Sequence, residues 1–588
     1  MTMTSAVHTD VLIVGAGPAG LTMAALLATY GVDAVTVTKY ASTAHSPRAH
    51  ITNQRTMEVF RDLDLEDDVR AAATPNELMG NNVWATSFAD EEIARLLTWG
   101  SGPERRMDYE LASPTSMCNI PQHILEPVLR EGAEARGADL RFSTELISVS
   151  QDTDGVTAVV RQRDSGTEQT KQTIRARYVV GADGGRSTVA EQLDFAFDGE
   201  SGLGAAANVW LEADLTKYAA YRPGTLYWMC QPGNDYWVGS GTWICVKPWT
   251  EWVLLFMYDP AEGEPDLSEE AVIARARATI GDPDIDLKIK ATSLWQINHL
   301  IAQKYQIGRV FLAGDAAHRH PPANGLGTNT SIQDSFNLAW KLALVLQGKA
   351  GEELLATYTD ERQPVGRGVV DRAMQSVGDM RPISKALGFE PGQTAEEGQS
   401  ALDGLRAPGP VGERRRRELA EAVALQNYQF NALGVELGQR YESSAVIDDG
   451  SPWPKPTRDP ELYDHPTTHP GARLPHAWVE HERVATSTLD LGGRGEFTVL
   501  TGIGGEPWAD AAQKAAAALG IPVTSHVIGA GGDHADVLGR WAALREIGDS
   551  GALLVRPDHH VAWRAHHLTN DPSGDLELAL RRVLARTD

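Results

Sequence analysis

The first apolar stretch of the chain is interrupted by turn residues. Residues 11–32 carry no charged side chain, and a stretch of 22 residues is long enough to cross a bilayer. Glycines and Pro18 divide it into a buried strand at 11–15, a tight turn and a helix at 19–30. A second β-rich run follows at 34–38. The pattern therefore predicts a buried βαβ unit and not a membrane span.

Two later apolar runs have the same character. Residues 178–181 and 310–314 each form a short run that ends in glycine and is followed by Asp and small residues. A run without polar alternation indicates a strand buried on both faces. Together with the first strand, these runs predict one nucleotide-binding domain assembled from separated segments.

The middle of the chain changes to an alternating pattern. Residues 205–300 alternate apolar and polar positions, which is typical of an antiparallel sheet that forms a second domain. This region contains the tryptophans Trp210, Trp228, Trp237, Trp243, Trp249 and Trp252. They either pack the core or, in part, line an aromatic pocket.

The last third is predicted to be mostly helical before a final mixed region. The pattern predicts an amphipathic helix at 331–347 and a charge-rich helical region from about 370 to 440. Residues 450–475 are rich in Pro and His and are predicted to be a linker on the surface. From about 476 onwards strands and helices alternate, which predicts a small α/β domain.

Composition narrows the functional class. The 588 residues include 53 Lys and Arg against 79 Asp and Glu, a net charge of −26, which disfavours nucleic acid and anionic membranes as partners. The cysteines Cys118, Cys230 and Cys245 form no CxxC pair, so we expect neither disulfides nor a Cys-rich metal site. The first ten residues lack a basic region followed by an apolar stretch, so no signal peptide is expected. We expect a cytoplasmic protein.

The first motif that carries chemistry is Gly15-x-Gly17-x-x-Gly20, between the first strand and the first helix. Glycines there allow a tight turn and let backbone N–H groups approach a pyrophosphate at the helix N-terminus. The acidic residue that usually ends the second strand and binds the ribose is missing, and Thr38 and Lys39 stand in its place. Thr38 could bind the ribose and Lys39 a phosphate or adenine, or both could simply be exposed.

Two further motifs complete a recognisable set. Residues 181–187 read GADGGRS, and residues 314–329 read GDAAHRHPPANGLGTN. With the first motif, they resemble the single-component FAD-dependent aromatic hydroxylases of the phenol hydroxylase type. The resemblance covers roughly residues 10–370, and it is closest to the subgroup of 2-hydroxybiphenyl and 2,4-dichlorophenol monooxygenases, which also carries Thr-Lys at the second strand.

The resemblance implies a mixed α/β and α+β fold with three domains. A discontinuous Rossmann-like FAD domain would comprise residues 1–75, 105–200 and 301–385, and an antiparallel-sheet substrate domain residues 76–104 and 201–300. A helical region and linker would occupy 386–475, and a thioredoxin-like domain 476–588. Because no cysteine follows Cys245, that last domain cannot exchange dithiols, and a scaffolding or oligomer-interface role is expected.

The resemblance also assigns cofactor-binding residues. Asp315 would hold the ribityl chain, Asp183 would lie near the flavin, and Arg48 and Gln122 would contact the cofactor. Alternatively, Asp315 caps a helix and Asp183 forms a turn. The rest of the predicted cofactor-binding set lies in the glycine-rich turn, the second strand end and the loop before the helix near 331: Gly15, Gly17, Pro18, Ala19, Gly20, Thr38, Lys39, Pro322, Gly325, Gly327, Thr328 and Asn329.

The implied reaction uses NADH or NADPH and O2 to hydroxylate a phenol at the ortho position, through a flavin C4a-hydroperoxide, to give a catechol. His50 is the predicted base, because it follows the Pro-Arg-Ala segment that the family places at the flavin edge, and its alternative is a histidine satisfied by packing. The predicted substrate pocket contains Trp228, Trp243, Met257 and Pro321; the last of these could instead only rigidify its loop.

The expected partners follow from this reaction. The substrate would be a small phenol, no metal is expected, and the assembly would be a homodimer or homotetramer. Two alternative functions stay open: a hydroxylase that tailors a polycyclic aromatic natural product, which has the same FAD motifs, and a non-enzymatic flavin-binding protein.

Overall fold

The computed structural model describes residues 6–163, 171–233 and 240–586, so Trp237 lies outside the described residues. The first sheet has eight strands, and its central five run parallel. Its strands are Val7–Val14, Ala34–Val37, Asp139–Arg141, Thr144–Gln151, Val156–Gln162, Lys171–Gly181, Gln306–Ile307 and Val310–Leu312. The predicted strands near residues 11, 178 and 310 lie side by side in it, which confirms one domain built from separated segments.

Helices cover this sheet because their small and apolar faces pack against its apolar strands. The helices of this part are Pro18–Thr29, Gln54–Asp62, Glu66–Ala72, Arg106–Ala112, Gln122–Ala135, Thr188–Gln192, Gly327–Leu346 and Thr357–Asp379. Pro18–Thr29 packs against both Gln122–Ala135 and Gly327–Leu346. A small pair of strands, Ile51–Thr52 and Cys118–Asn119, lies beside them.

The second sheet also has eight strands, and all its pairs are antiparallel except Gly224–Met229 with Asn81–Ala85. Its strands are Asn81–Ala85, Glu92–Leu97, Phe197–Glu212, Gly224–Met229, Gly241–Lys247, Glu251–Tyr258, Lys288–Ala302 and His318–Arg319. Helix Glu269–Ile280 packs on one face, where Trp243 and Trp252 are fully buried. The opposite face is turned toward the first sheet's helices, since the His123 ring meets the Trp210 ring at 5.5 Å.

The C-terminal region begins with helices and ends in a thioredoxin fold. The helices are Arg381–Leu387, Ala395–Asp403, Pro410–Leu425, Asn427–Phe430 and Leu433–Leu437. The final sheet has the strand order Val523–Val527, Phe497–Thr501, Ala552–Val555, Val561–Ala565, with only the first pair parallel. Helices Glu506–Leu519 and Pro572–Val583 pack together beside it. The predicted thioredoxin-like domain is confirmed, while the exact domain boundaries stay predictions.

Two predictions about exposure were wrong. The predicted amphipathic helix is Gly327–Leu346, and every residue from Asn329 to Val345 is buried, because its polar side pairs with charged groups of other elements. The predicted surface linker, residues 450–475, is exposed or half-buried up to residue 466, but it is buried over residues 467–475, where Arg473 contacts Glu58 with Nε 2.9 Å from Oε2. Of the helices in the described residues, none combines the length and apolarity that crossing a membrane requires.

Glu436 is a buried acid that lacks a full set of partners. It lies in helix Leu433–Leu437 against helix Gln54–Asp62, is 3% exposed, and its Oε2 has no hydrogen-bond partner among the described residues. Burial raises the pKa of Glu436 to about 8. The folded protein therefore holds this proton more tightly than the unfolded chain does, so the contribution of Glu436 to stability is greatest at low pH and falls as pH rises from 4.5 toward 8.

We predict that Glu436→Gln removes this pH dependence. At pH 8 the variant should be more stable than the wild type by on the order of 3 kcal/mol, and the gain should shrink toward pH 5. Urea unfolding between pH 5 and 8.5 measures it. Glu421→Gln, at an exposed position, is the matched control and should not alter the slope with pH. Parallel pH profiles for Glu436→Gln and wild type would contradict the prediction.

Candidate active site

The three sequence motifs meet at the carboxyl edge of the first sheet. The N–H of Ala182 donates to the carbonyl of Val14 at 2.8 Å, and the N–H of Ala313 donates to the carbonyl of Gly181 at 3.0 Å. The strand ends that carry Gly15, Asp183 and Asp315 are thus adjacent. In open α/β sheets, ligands bind outside this edge.

The glycine-rich turn has two kinds of glycine. A Cβ on Gly15 would lie 2.1 Å from the carbonyl oxygen of Ala182, and one on Gly20 would lie 1.9 Å from that of Gly15, so both are required by backbone packing. A Cβ on Gly17 would meet nothing nearer than Glu126 Oε1 at 3.9 Å. Pro18 opens the helix, and no side chain caps its N-terminus. The turn thus leaves open space and N–H donors for a phosphate group.

Residues next to this turn form a hydrogen-bonded platform. Glu126 is buried and accepts from Ala44 N–H at 2.5 Å and from Gln122 Nε2 at 2.6 Å. Burial raises the pKa of Glu126, and the exposed Arg48 opposes that rise by its charge. Gln122 also donates its backbone N–H to Ala49 at 2.8 Å. The predicted Arg48 and Gln122 are therefore brought together beside Gly17. Sequence reasoning gave Glu126 no role.

The other predicted residues at this edge differ in their exposure and in their hydrogen bonds. Thr38 is buried at the end of the second strand, and Lys39 beside it is exposed. Asp315 is exposed in the turn Gly314–Ala316. Asp183 accepts from Ser187 Oγ at 2.5 Å and from Thr188 N–H at 2.8 Å, so its carboxylate caps the following helix. Burial raises the pKa of Asp183.

A second helix N-terminus points at the same edge. Helix Gly327–Leu346 has no side-chain cap, and Gly327 and Thr328 are only half-buried. Gly325 has φ +65°, and a Cβ there would lie 3.0 Å from Cβ of Ile51, so glycine is required. Asn329 is fully engaged: it accepts from Asn53 N–H and donates to the carbonyl of Ile51, both at 2.9 Å. It joins the loop to the segment after His50. Pro322 is exposed on the same loop.

Two uncapped helix N-termini at one sheet edge suit a dinucleotide cofactor. Each presents free N–H groups and a partial positive charge, which favours an anionic group. The open space at Gly17 is the cradle that a side chain would fill. The donor set therefore fits a pyrophosphate-containing group, while a ribose contact of Thr38 stays a prediction.

His50 is held in one tautomer by Asn119. Its Nδ1 lies 2.9 Å from Oδ1 of Asn119, whose Nδ2 donates to the carbonyl of Cys245 at 3.2 Å. Because the amide nitrogen is engaged there, Oδ1 faces His50 and can only accept, so Nδ1 carries the proton and Nε2 presents a lone pair. Burial lowers the pKa of His50 to about 4, and the bond to Asn119 opposes the fall. His50 is thus a neutral acceptor at neutral pH.

The face of the second sheet turned toward His50's domain is apolar and partly open. The pairs Trp228 with Thr242 and Thr242 with Leu255 place Trp228 and Met257 on one face. Residues on the same face that the sequence did not single out include Asn208, Ile244, Leu255 and Trp295, all partly exposed. Only the pairing register, which periodicity alone does not give, shows this set.

The structure does not bring Trp243 to that face. It lies on the opposite face, fully buried, with Nε1 donating to Thr279 of helix Glu269–Ile280 at 3.0 Å. Its predicted pocket role therefore has no support, because alternation along the strand puts it with the core. Pro321 is buried, and its carbonyl lies 2.7 Å from His320 Nδ1, which holds the loop next to Gly327.

Comparisons with known proteins agree with this geometry. A family model described as FAD binding domain matches residues 8–373, and one described as aromatic-ring hydroxylase, C-terminal, matches residues 467–587. The chain belongs to the FAD-dependent aromatic-ring hydroxylases. It is an FAD-dependent monooxygenase that takes NAD(P)H and O2, which confirms the resemblance seen in the sequence.

Relatives of this hydroxylase match along nearly the whole chain. It is 49% identical to 2,4-dichlorophenol 6-monooxygenase of Delftia acidovorans over 98% of both chains. It is 45% identical to phenol 2-monooxygenase of Pseudomonas sp. (strain EST1001), over 99% of this chain and 93% of the relative. The crystal structure of the flavin-dependent monooxygenase PieE with FAD and substrate superposes with a TM-score of 0.95 at 48% identity, covering 99% of this chain and 100% of that one.

The two kinds of glycine give a test of the FAD cradle. We predict that Gly17→Ala leaves the melting temperature of the flavin-free hydroxylase unchanged, because the new methyl meets only open space, yet raises the FAD dissociation constant about tenfold. Gly20→Ala is the contrast and should destabilise the protein itself. Flavin fluorescence titration and thermal unfolding measure the two effects. Unchanged FAD affinity in Gly17→Ala would place the pyrophosphate elsewhere.

Proposed function

We propose that this hydroxylase converts a phenol to a catechol by inserting one oxygen atom ortho to the phenolic hydroxyl. The balanced reaction is phenol, O2, NAD(P)H and a proton to catechol, NAD(P)⁺ and water. The observation that carries the proposal is a neutral histidine with Nε2 as its acceptor. Asn119 links it to Cys245 in the second sheet, and its neighbour Ala49 binds Gln122 beside the cofactor edge. Relatives at 45–49% identity are named as monooxygenases of phenol and 2,4-dichlorophenol, which supports a small phenol over a polycyclic substrate.

The residues that would hold FAD follow from the edge described above. The N-terminus at Gly17 would take the pyrophosphate, Thr38 the ribose, and Asp315 the ribityl hydroxyls. The N-terminus of helix Gly327–Leu346 would face the flavin ring and favour negative charge on it when it is reduced. When bound and reduced by NAD(P)H, FAD would supply the activation of O2, one atom of which is transferred to the ring while the other leaves as water.

His50 would act on the proton of the phenolic hydroxyl. A free phenol such as that of tyrosine has a pKa near 10, whereas burial lowers the pKa of His50 to about 4. A gap of this size prevents the proton from resting on His50 in the ground state. The role that fits is general base: Nε2 accepts the hydroxyl's hydrogen bond and takes the proton as the ring loses electrons to the incoming oxygen.

The sheet face would position and dry the ring. Partly exposed apolar side chains there, with Met257 and Leu255 among them, leave room for a flat aromatic molecule. Excluding water strengthens the hydrogen bond to His50 and limits loss of the activated oxygen as peroxide. A homodimer or homotetramer stays a prediction from the sequence.

Turnover with defined phenols tests the proposed function. The FAD-loaded enzyme would be given NADH or NADPH in air with phenol, 2-substituted phenols, chlorophenols and polycyclic phenols, and product and peroxide would be quantified together. We expect catechol in near one-to-one ratio with the oxidised reductant for some simple phenols. Peroxide alone from all simple phenols, with product from a polycyclic phenol, would overturn it.

The role of His50 predicts a specific pH profile. Since its pKa lies near 4, the wild-type rate should be flat from about pH 5.5 upward and should lack a limb at the ordinary histidine pKa of 6.5. His50→Ala should lower the hydroxylation rate about a hundredfold at pH 7, and less as pH approaches the phenol's own pKa.

The matched control is His45→Ala, at an exposed position in the same loop, which should retain the wild-type rate and profile. Single-turnover absorbance of the enzyme-bound flavin with a simple phenol measures the rate. If His50→Ala lowered the hydroxylation rate by the same factor at all pH values, His50 would not be the base and would have only a packing role.

A further inference from the structure

The C-terminal domain reaches the active-site helix through buried charges. Arg556, at the end of strand Ala552–Val555, donates to both oxygens of Glu361 at 2.6 and 2.8 Å. Arg556 and Glu361 are fully shielded from solvent. Burial opposes ionisation of Glu361, but Arg556 and Lys341 outweigh it and hold its pKa well below the ordinary value. A charged contact between two domains is thus sealed in the interior.

Glu361 also binds two side chains of helix Gly327–Leu346. One of its oxygens, Oε2, accepts from Lys341 Nζ at 2.7 Å and from Asn337 Nδ2 at 2.7 Å. The same Asn337 nitrogen lies 3.2 Å from Oδ2 of Asp558 in the C-terminal domain. Burial opposes ionisation of Asp558, and the charge of Arg556 outweighs it and lowers its pKa. Helix Gly327–Leu346 is therefore bound on its polar side by Asp558 directly and by Arg556 through Glu361.

The same domain also holds the helix that follows His50. Arg55 in helix Gln54–Asp62 donates to the backbone carbonyl of Asp558 at 2.7 Å and pairs with Glu58 at 3.0 Å. Arg473, at the entry to the C-terminal domain, donates to Glu58 from the other side at 2.9 Å. Each of these side chains is at least nine-tenths buried.

Helix Gly327–Leu346 also binds three parts of the cofactor edge. Ser335 Oγ donates to the carbonyl of Ala19 in the first helix at 2.8 Å. Asp334 accepts from Gly314 N–H, next to Asp315, at 3.0 Å. Asn329 binds the carbonyl of Ile51, next to His50, at 2.9 Å. A shift of this helix would move the pyrophosphate turn, the ribityl loop and the base together.

We propose that the thioredoxin-like domain, which has no cysteine, serves the hydroxylation as a positioning domain: Arg556 and Asp558 are positioning residues that fix helix Gly327–Leu346, and with it the cofactor edge. The inference rests on the proposed function in that FAD lies at this edge. A displacement of the order of an ångström at reacting groups costs up to about a hundredfold in rate, so such a brace has catalytic consequences although it touches no substrate.

Two variants test the proposal in the full-length holoenzyme. Arg556→Gln removes the bidentate contact, and Asp558→Asn keeps the shape but removes one charge, so the second stays informative if the first folds poorly. The matched control is Arg564→Gln in the same domain: Arg564 is 5% exposed and pairs with Asp449 at 2.6 Å. It belongs to a largely buried ion pair, made through its Nε, that does not involve helix Gly327–Leu346.

The readouts separate positioning from stability. We expect Asp558→Asn and Arg556→Gln to raise the FAD dissociation constant about tenfold and to raise peroxide formed per NAD(P)H severalfold. In the flavin-free protein, amides of residues 314–331 should exchange hydrogen faster. Arg564→Gln should lower the melting temperature by about as much as Arg556→Gln does. Its FAD affinity and its ratio of product to NAD(P)H should stay within twofold of wild type.

Equal FAD affinity, coupling and hydrogen exchange in Asp558→Asn and wild type would overturn the proposal. Losses of the same size in Arg564→Gln would also overturn it, since any weakening of the domain would then act alike. A wild-type protein that binds FAD but hydroxylates no phenol would instead contradict the proposed function and leave the positioning of the cofactor edge to be judged by affinity and exchange alone.

Discussion

The active site depends on one buried carboxylate. Asp334 accepts from Arg362 Nε at 2.8 Å, His318 Nε2 at 2.9 Å and the N–H of Gly314 at 3.0 Å, and the Asp334, Arg362 and His318 side chains are fully buried. Burial disfavours the charged form, but Arg362 and His318 outweigh it and keep the pKa of Asp334 below its ordinary value. Removing one partner from such a buried pair costs about 3–5 kcal/mol. The loop that carries Asp315 is therefore fixed to helix Gly327–Leu346 through the bond from Gly314 N–H to Asp334, and the loss of any one partner of Asp334 is expected to destabilise this contact.

The cofactor edge is organised in the opposite way. There the helix N-termini at Gly17 and Gly327 have no side-chain caps, and the glycines keep side chains out. Free N–H groups are costly when buried without partners, so an edge that keeps them is arranged for an anionic ligand to complete. Helix Gly327–Leu346 thus combines two features: buried charged side chains that are paired with other elements, and an N-terminus whose N–H donors no side chain caps.

Local patterns predicted the elements, and pairing across the chain decided their roles. Uncharged runs revealed the parallel strands, and glycine spacing revealed the cofactor turn, because both signals lie within a few residues. The helix at Asn329–Val345 looked amphipathic because the partners that bury its polar side are distant: Glu361 for Lys341, and Arg556 for Glu361. The sequence placed Trp228 and Trp243 in one pocket, because they lie on different strands and only the pairing of Trp228 with Thr242 shows that they point to opposite faces. Asn119 gave no signal, since its role depends on a fold that sets it against His50.

The environment of His50 reconciles two opposed requirements. A site that keeps water from the activated oxygen must be apolar, and apolar surroundings disfavour a charged imidazole, which is why burial lowers the pKa of His50 to about 4. A carboxylate at residue 119 would stabilise the imidazolium and raise that pKa. The neutral amide of Asn119 instead fixes the tautomer without adding charge. Above its pKa of about 4, His50 is therefore mostly uncharged, with Nε2 as an acceptor, at the neutral pH at which phenols are still protonated. In the proposed base role, the proton that His50 accepts does not remain on it, because the low pKa of the imidazole makes His50 a weak proton holder.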